Sequence, residues 1–163
     1  MRKIEIKVLD KVFVATLMEK EAPRTCKKFL DILPMESHSI FHSIWSGHMI
    51  NVMIKPLKKY NSSLLDFKQE NLTTCPSVGD VVIGTAHGPV EYAPDADISK
   101  GFSELFIVYH YATLRCPWGP MPCNHFARID PQQFDDIREI GLKLYYNVAD
   151  VARKGVVIRE KKP

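Results

Sequence analysis

Residues 40–54, IFHSIWSGHMINVMI, form two runs rich in β-branched and aromatic side chains, broken once by Ser46-Gly47. Apolar runs of this length without a helical period read as strands, and a Ser-Gly pair between them reads as the hinge of a hairpin. A chain with this stretch must build a sheet around it. The N-terminus supplies more of that sheet: Ile4, Ile6 and Val8 alternate with charged residues, and Val12, Val14 and Thr16 repeat the pattern after the turn-compatible Asp10-Lys11. Alternation with period two predicts two further antiparallel strands.

Two helices are predicted. Pro23 opens the first, which spaces Cys26, Phe29, Leu30 and Leu33 on one face and stops at Pro34. Asp130-Pro131 supplies an N-cap and a first-turn Pro for the second. Phe134, Ile137, Ile140, Leu144, Val148 and Val151 then recur every three or four residues, so one helix is expected to about Arg153, with Gly155 at its end. Residues 55–77 lose periodicity and read as a long surface excursion. Strands are expected at 78–88, 102–109, 125–129 and 156–158, with a Pro-rich rim loop at 116–123.

At 163 residues the chain fits one domain, expected over 1–163. The net charge of +3 is small and scattered, and the basic C-terminal group Arg159-Glu160-Lys161-Lys162 reads as a solvated tail, so no nucleic-acid partner is expected. No apolar run approaches 18 residues, which gives no reason to expect a membrane partner. Met1-Arg2-Lys3 leads straight into a strand without a signal-peptide pattern, from which a cytoplasmic location is expected. The four cysteines form no Cys-x-x-Cys pair and are expected as free thiols.

Phe41, His42, Gly47 and Met49 match, without a gap, the active-site hairpin of cyclophilins, Phe-His-Arg-x-x-Pro-Gly-Phe-Met-x-Gln-Gly. The chain resembles that family over its length, and residues 33–37 with 45–47 are closer still to small bacterial cyclophilin-like proteins without an assigned activity. The resemblance implies a mainly β fold, a closed antiparallel barrel of about eight strands capped by two α-helices. It also implies a groove. Ser43 stands where cyclophilins carry an Arg that acts on the rotating amide, His48 where they carry a pocket Phe, and Asn51 where they carry a Gln. Ala86 and His87 fall on a pocket Ala and Asn, Glu104 on a pocket Gln, and Met49 and Phe106 on identical residues. Trp118, in the rim loop, could stack on a ligand.

With no cation at Ser43 and an imidazole in place of an apolar wall, prolyl isomerase activity is expected to be weak or absent. The groove of Ser43, His48, Met49, Asn51, Ala86, His87, Glu104, Phe106 and Trp118 is expected to bind a small polar ligand or a peptide. A prolyl isomerase, and a small-molecule enzyme using His48, His87 and Glu104, stay open as alternatives. Two imidazoles and a carboxylate could hold a divalent metal or act as acid and base, but such a set without a local motif is more often a group of separate residues each with its own partner, so neither metal nor cofactor is expected. Homo-oligomerisation is left open.

Overall fold

The computed structural model describes residues 1–38, 40–43, 46–54, 67–86, 102–116, 119–147 and 154–162, with backbone alone at 85, 86, 102 and 116. Strand β1 (Lys3–Val8) turns through Leu9, in the left-handed region at φ 56°, into β2 (Lys11–Leu17). Pairing sets Ile6 opposite Phe13 and Ile4 opposite Ala15, so Phe13, Ala15 and Leu17 enter the core while Val12 is exposed. The inward phase of β2 is therefore the reverse of the Val12, Val14, Thr16 set. Both phases of that strand are apolar, and cross-strand register decides between them.

Helix α1 (Pro23–Asp31) buries Thr25, Cys26 and Phe29, with the Phe29 ring 4.7 Å from that of Phe126. Its N-cap, Ala22, has no side chain to offer, and the first turn is satisfied from the distant excursion instead. Glu70 Oε2 accepts from the Thr25 backbone N–H at 2.8 Å and from Thr25 Oγ1 at 2.9 Å, while Oε1 accepts from Arg24 Nε at 3.0 Å. A carboxylate there satisfies an orphan donor and complements the helix dipole. Glu70→Ala should therefore lower stability by about 1–2 kcal/mol, read as a lower Tm, and an unchanged Tm would show that water replaces the cap.

Strands β3 (Met35–Ser37), β4 (Ile40–His42), β5 (Gly47–Ile54), β6 (Leu72–Thr73), β7 (Asp80–Ala86) and β8 (Phe102–Ala112) follow. The rim loop contains a two-stranded ribbon, β9 (Arg115–Cys116) with β10 (Gly119–Pro120), before β11 (Cys123–Ile129); β12 (Val156–Glu160) comes last. Among the described residues, the main antiparallel sheet runs β3-β12-β1-β2-β11-β7-β8-β5-β4, with β6 added to β11. Its ends meet, because β3 and β4 are neighbours in the chain and Ser37 Oγ donates to the Met53 carbonyl at 2.8 Å. The fold is the expected mainly β, nearly closed antiparallel barrel with two helices.

Asp130 caps a 3₁₀ turn, Pro131–Gln133, accepting from Gln132 N at 3.1 Å, and α2 (Phe134–Tyr146) continues from it. Gln133 bonds to the β2 backbone as a strand would, accepting from Val14 N at 2.8 Å and donating to Val12 O at 2.9 Å. The helix ends earlier than its periodicity suggests, since Asn147 leaves the helical region at φ −148°, ψ 68°; residues 148–153 lie outside the described residues. Ile137, Ile140 and Leu144 plug the barrel, and Gly141 lies on the Tyr109 ring. Cys26, Cys75 and Cys123 are free thiols. Among the described residues, no helix is long and apolar enough to cross a membrane.

Candidate functional site

Every second side chain of a strand faces away from the barrel interior, and on β5, β7 and β8 those outward positions are unusually apolar. Met49, Val82, Phe106, Val108, Ala112, Leu114 and Cys123 form a second cluster, separate from the main core, with Met121 packed against it. Asn51 is opposite Phe106, which is also opposite Val82 on the other side; Glu104 is opposite Met53 and Gly84. Two polar side chains are thus set beside an apolar cluster that is itself buried.

Asn51 Nδ2 donates to Glu104 Oε1 at 3.0 Å. Asn51 is only 4% exposed, and its Oδ1 is buried without a hydrogen-bond partner. Burial pushes the Glu104 carboxyl up to about 7, the Asn51 bond pulling weakly the other way. A carboxyl in this state exchanges its proton near neutrality, the range suited to acid and base work and to proton-dependent binding. Nearby Cys123 is no nucleophile, since burial, aided by the charge of Glu104, pushes its thiol up to about 12.

Ser43 is committed elsewhere. Its Oγ accepts from Ser46 N at 3.0 Å and its own N–H donates to Met49 O at 3.2 Å, which fixes the turn between β4 and β5. Ser46 Oγ in turn donates to Arg115 O at 2.9 Å and accepts from Arg115 N at 3.0 Å. The position at which the resemblance implies a cation is occupied by a buried hydroxyl that holds the backbone.

His48 joins a different group of rings. The ladder shifts between Gly47 and Met49, and Gly47 sits at φ 89°, where any Cβ would meet the Tyr111 carbonyl at 2.7 Å. His48 Nδ1 donates to Tyr111 O at 3.2 Å, and its ring is edge-on to Tyr109, His42 and His110 at 5.6, 6.2 and 5.1 Å between centroids. His42 has both ring nitrogens engaged: Nδ1 donates to Ser43 O at 2.8 Å, which leaves Nε2 to accept from the Tyr109 hydroxyl at 2.6 Å. Burial, opposed in part by the Ser43 bond, holds this imidazole below its ordinary value. The pair fastens β4 to β8 beneath Tyr145 of α2, whose ring is 4.9 Å from that of His42.

The structure therefore brings together Met49, Asn51, Glu104 and Phe106 and sets Ser43 and His48 into other contacts. Ala86 ends β7, its backbone opposite Phe102. His87, Trp45 and Trp118 lie outside the described residues. Val82 and Cys123 complete the cluster without having been assigned to the groove from the sequence; their outward phase on β7 and β11 is the signal that could have found them. Among the described residues, no group of three or more His, Cys, Asp or Glu is arranged to hold a metal ion.

The family model described as "Protein of unknown function (DUF3830)" matches residues 4–153. No curated protein matches the chain. Among solved structures, McbB in complex with tryptophan is similar with a TM-score of 0.66 at 17% identity, over 98% of this chain and 45% of that one. The chain thus spans less than half the length of that relative, and the likeness is one of fold. A cyclophilin-type peptidyl-prolyl cis-trans isomerase of Cryptosporidium parvum, in the presence of the dipeptide Ala-Pro, gives a TM-score of 0.46 at 14% identity, over 99% of both chains.

Proposed function

We propose, since the chain belongs to the DUF3830 family, a function read from its own side chains: it binds a small polar molecule on the outer face of β5, β7 and β8. Asn51 and Glu104 recognise the ligand's polar group, beside the buried cluster of Met49, Val82 and Phe106. The observation that carries this reading is the buried Asn51 Oδ1 without a partner. An unpaired buried polar atom costs about 1–3 kcal/mol, a cost that a ligand donor would remove. Ala86, His87 and Trp118 belong to the same proposed site through the cyclophilin resemblance. The test is a ¹⁵N-labelled titration with small amides, carboxylates and amino acids, tryptophan included. Ligand-dependent movement of the Asn51 side-chain amide supports the reading; movement confined to the rings around His48 overturns it.

A prolyl isomerase must hold a twisted amide by donors aimed at it, and Ser43 supplies none. The expected result of a protease-coupled assay on an Ala-Pro peptide is kcat/KM at least ~10²-fold below an ordinary cyclophilin, the usual consequence of losing one principal electrostatic group. Ordinary efficiency would show that another residue replaces the Arg. The carboxyl of Glu104, titrating at about 7, favours a second reading in which it serves as the acid or base of a small-molecule enzyme.

A further inference from the structure

We infer that the ligand group seated at Asn51 and Glu104 is an uncharged amide-type edge, one N–H beside one C=O, rather than a carboxylate or an amine; this rests on the reading that the patch binds a small polar molecule. Asn51 and Glu104 share one bond, and Asn51 Oδ1 is left over. With Glu104 protonated and its carbonyl oxygen accepting from one Nδ2 hydrogen, the pair leaves one acceptor, Oδ1, and two donors, the carboxyl O–H and the second Nδ2 hydrogen. If the Asn51 amide is turned over, Oδ1 takes the carboxyl proton, and the remainder is again one acceptor, the carboxyl carbonyl, with two donors, both on Nδ2. The complement of that set is the same in both orientations: a neutral group with an N–H for the acceptor and a C=O whose two lone pairs take both donors, such as a primary amide or a lactam.

Charge gives the same answer. A carboxylate would add a negative charge beside a carboxyl that is already largely buried, opposite Met53 and Gly84, and no cation bonds to either Asn51 or Glu104 among the described residues. An ammonium group becomes the better partner only once Glu104 ionises, when its O–H donor is lost and a carboxylate charge appears. The selectivity of the site therefore reverses with its protonation state.

Three probes with one ring and different heads separate these cases: benzamide, benzoate and benzylamine. Binding is followed by Tm and by the side-chain amide resonances of Asn51, at pH 6 and pH 9. Benzamide is expected to bind best at pH 6 and to lose about tenfold in affinity at pH 9, the worth of one hydrogen bond, where benzylamine gains. Glu104→Gln, which keeps an acceptor and N–H donors but has no titrating proton, should hold benzamide equally at both pH values, and Asn51→Leu should not bind it. Benzoate preferred at pH 6, or benzamide binding that ignores pH in the wild type, overturns the amide assignment while leaving the patch as a binding site. No movement of the Asn51 resonances with any probe at millimolar concentration overturns both.

Discussion

Glu104→Gln should make the protein more stable at pH 8 by about 3 kcal/mol, while changing stability at pH 5 by no more than about 1 kcal/mol. In the folded protein, burial raises this carboxyl from an ordinary value of 4.5 to about 7. Below 4.5 it is protonated in both states and costs nothing. Between 4.5 and 7 the unfolded chain ionises freely while the folded one holds its proton, so stability falls as pH rises through this window and then levels off. Gln cannot ionise, keeps the amide bond to Asn51, and removes the slope. Glu19 and Glu70 act in the opposite sense. Bonds from Arg2 hold Glu19 below its ordinary value, and at Glu70 burial is outweighed by bonds from Thr25 and Arg24. Their contribution is lost as pH falls below the ordinary carboxylate range; His42, held below its ordinary value mainly by burial, adds stability as pH rises towards that value, and this cancels in the difference between the two proteins. Urea melts of both proteins from pH 5 to 9 measure the difference directly; parallel curves would mean that Glu104 is as well solvated as a surface carboxyl.

Gly141→Ala should destabilise the protein by about 1–3 kcal/mol, although the same change in an exposed helix interior would stabilise it by about 1 kcal/mol. The added methyl would sit 2.3 Å from two carbons of the Tyr109 ring. That ring cannot withdraw, because it is fully buried and its hydroxyl donates to His42 Nε2. Either α2 lifts from the barrel, exposing Ile137, Ile140 and Leu144, or β8 shifts. A Tm lower by roughly 2–10 °C is expected for a chain of this size. Partial recovery in a Gly141→Ala, Tyr109→Leu double variant would locate the conflict between these two residues; a raised Tm for the single variant would show that α2 is not seated on the ring.

The elements of the fold were legible wherever a local period carried them. The hairpin around Ser46-Gly47, the alternation of β1 and the start of α1 at Pro23 each depend on side chains a few residues apart. Much of what failed was decided by distant partners. The phase of β2 is apolar both ways and waits on its pairing with β1. The short ribbon at residues 115–120 and the addition of β6 to β11 follow from neighbours in space, not from propensity. The periodicity that would carry α2 to Arg153 does not prevent Asn147 from leaving the helix.

The candidate site divides along the same line. Resemblance at matched positions singled out Asn51, Glu104, Met49 and Phe106 one at a time. It could not say that Asn51 and Glu104, 53 residues apart, share a hydrogen bond, or that one amide oxygen would be left without a partner. Nor could it separate His48 from them: a one-residue shift in the ladder beside Gly47, together with alternation along β5, gives adjacent side chains different company. By itself the sequence determined which segments are strands and helices, because those preferences are local, and which residue types are available for chemistry. Tertiary structure decided which face each strand presents and which polar atoms meet. Those outcomes depend on register between distant segments and on the removal of water from a carboxyl, and neither is a property of any short stretch of chain.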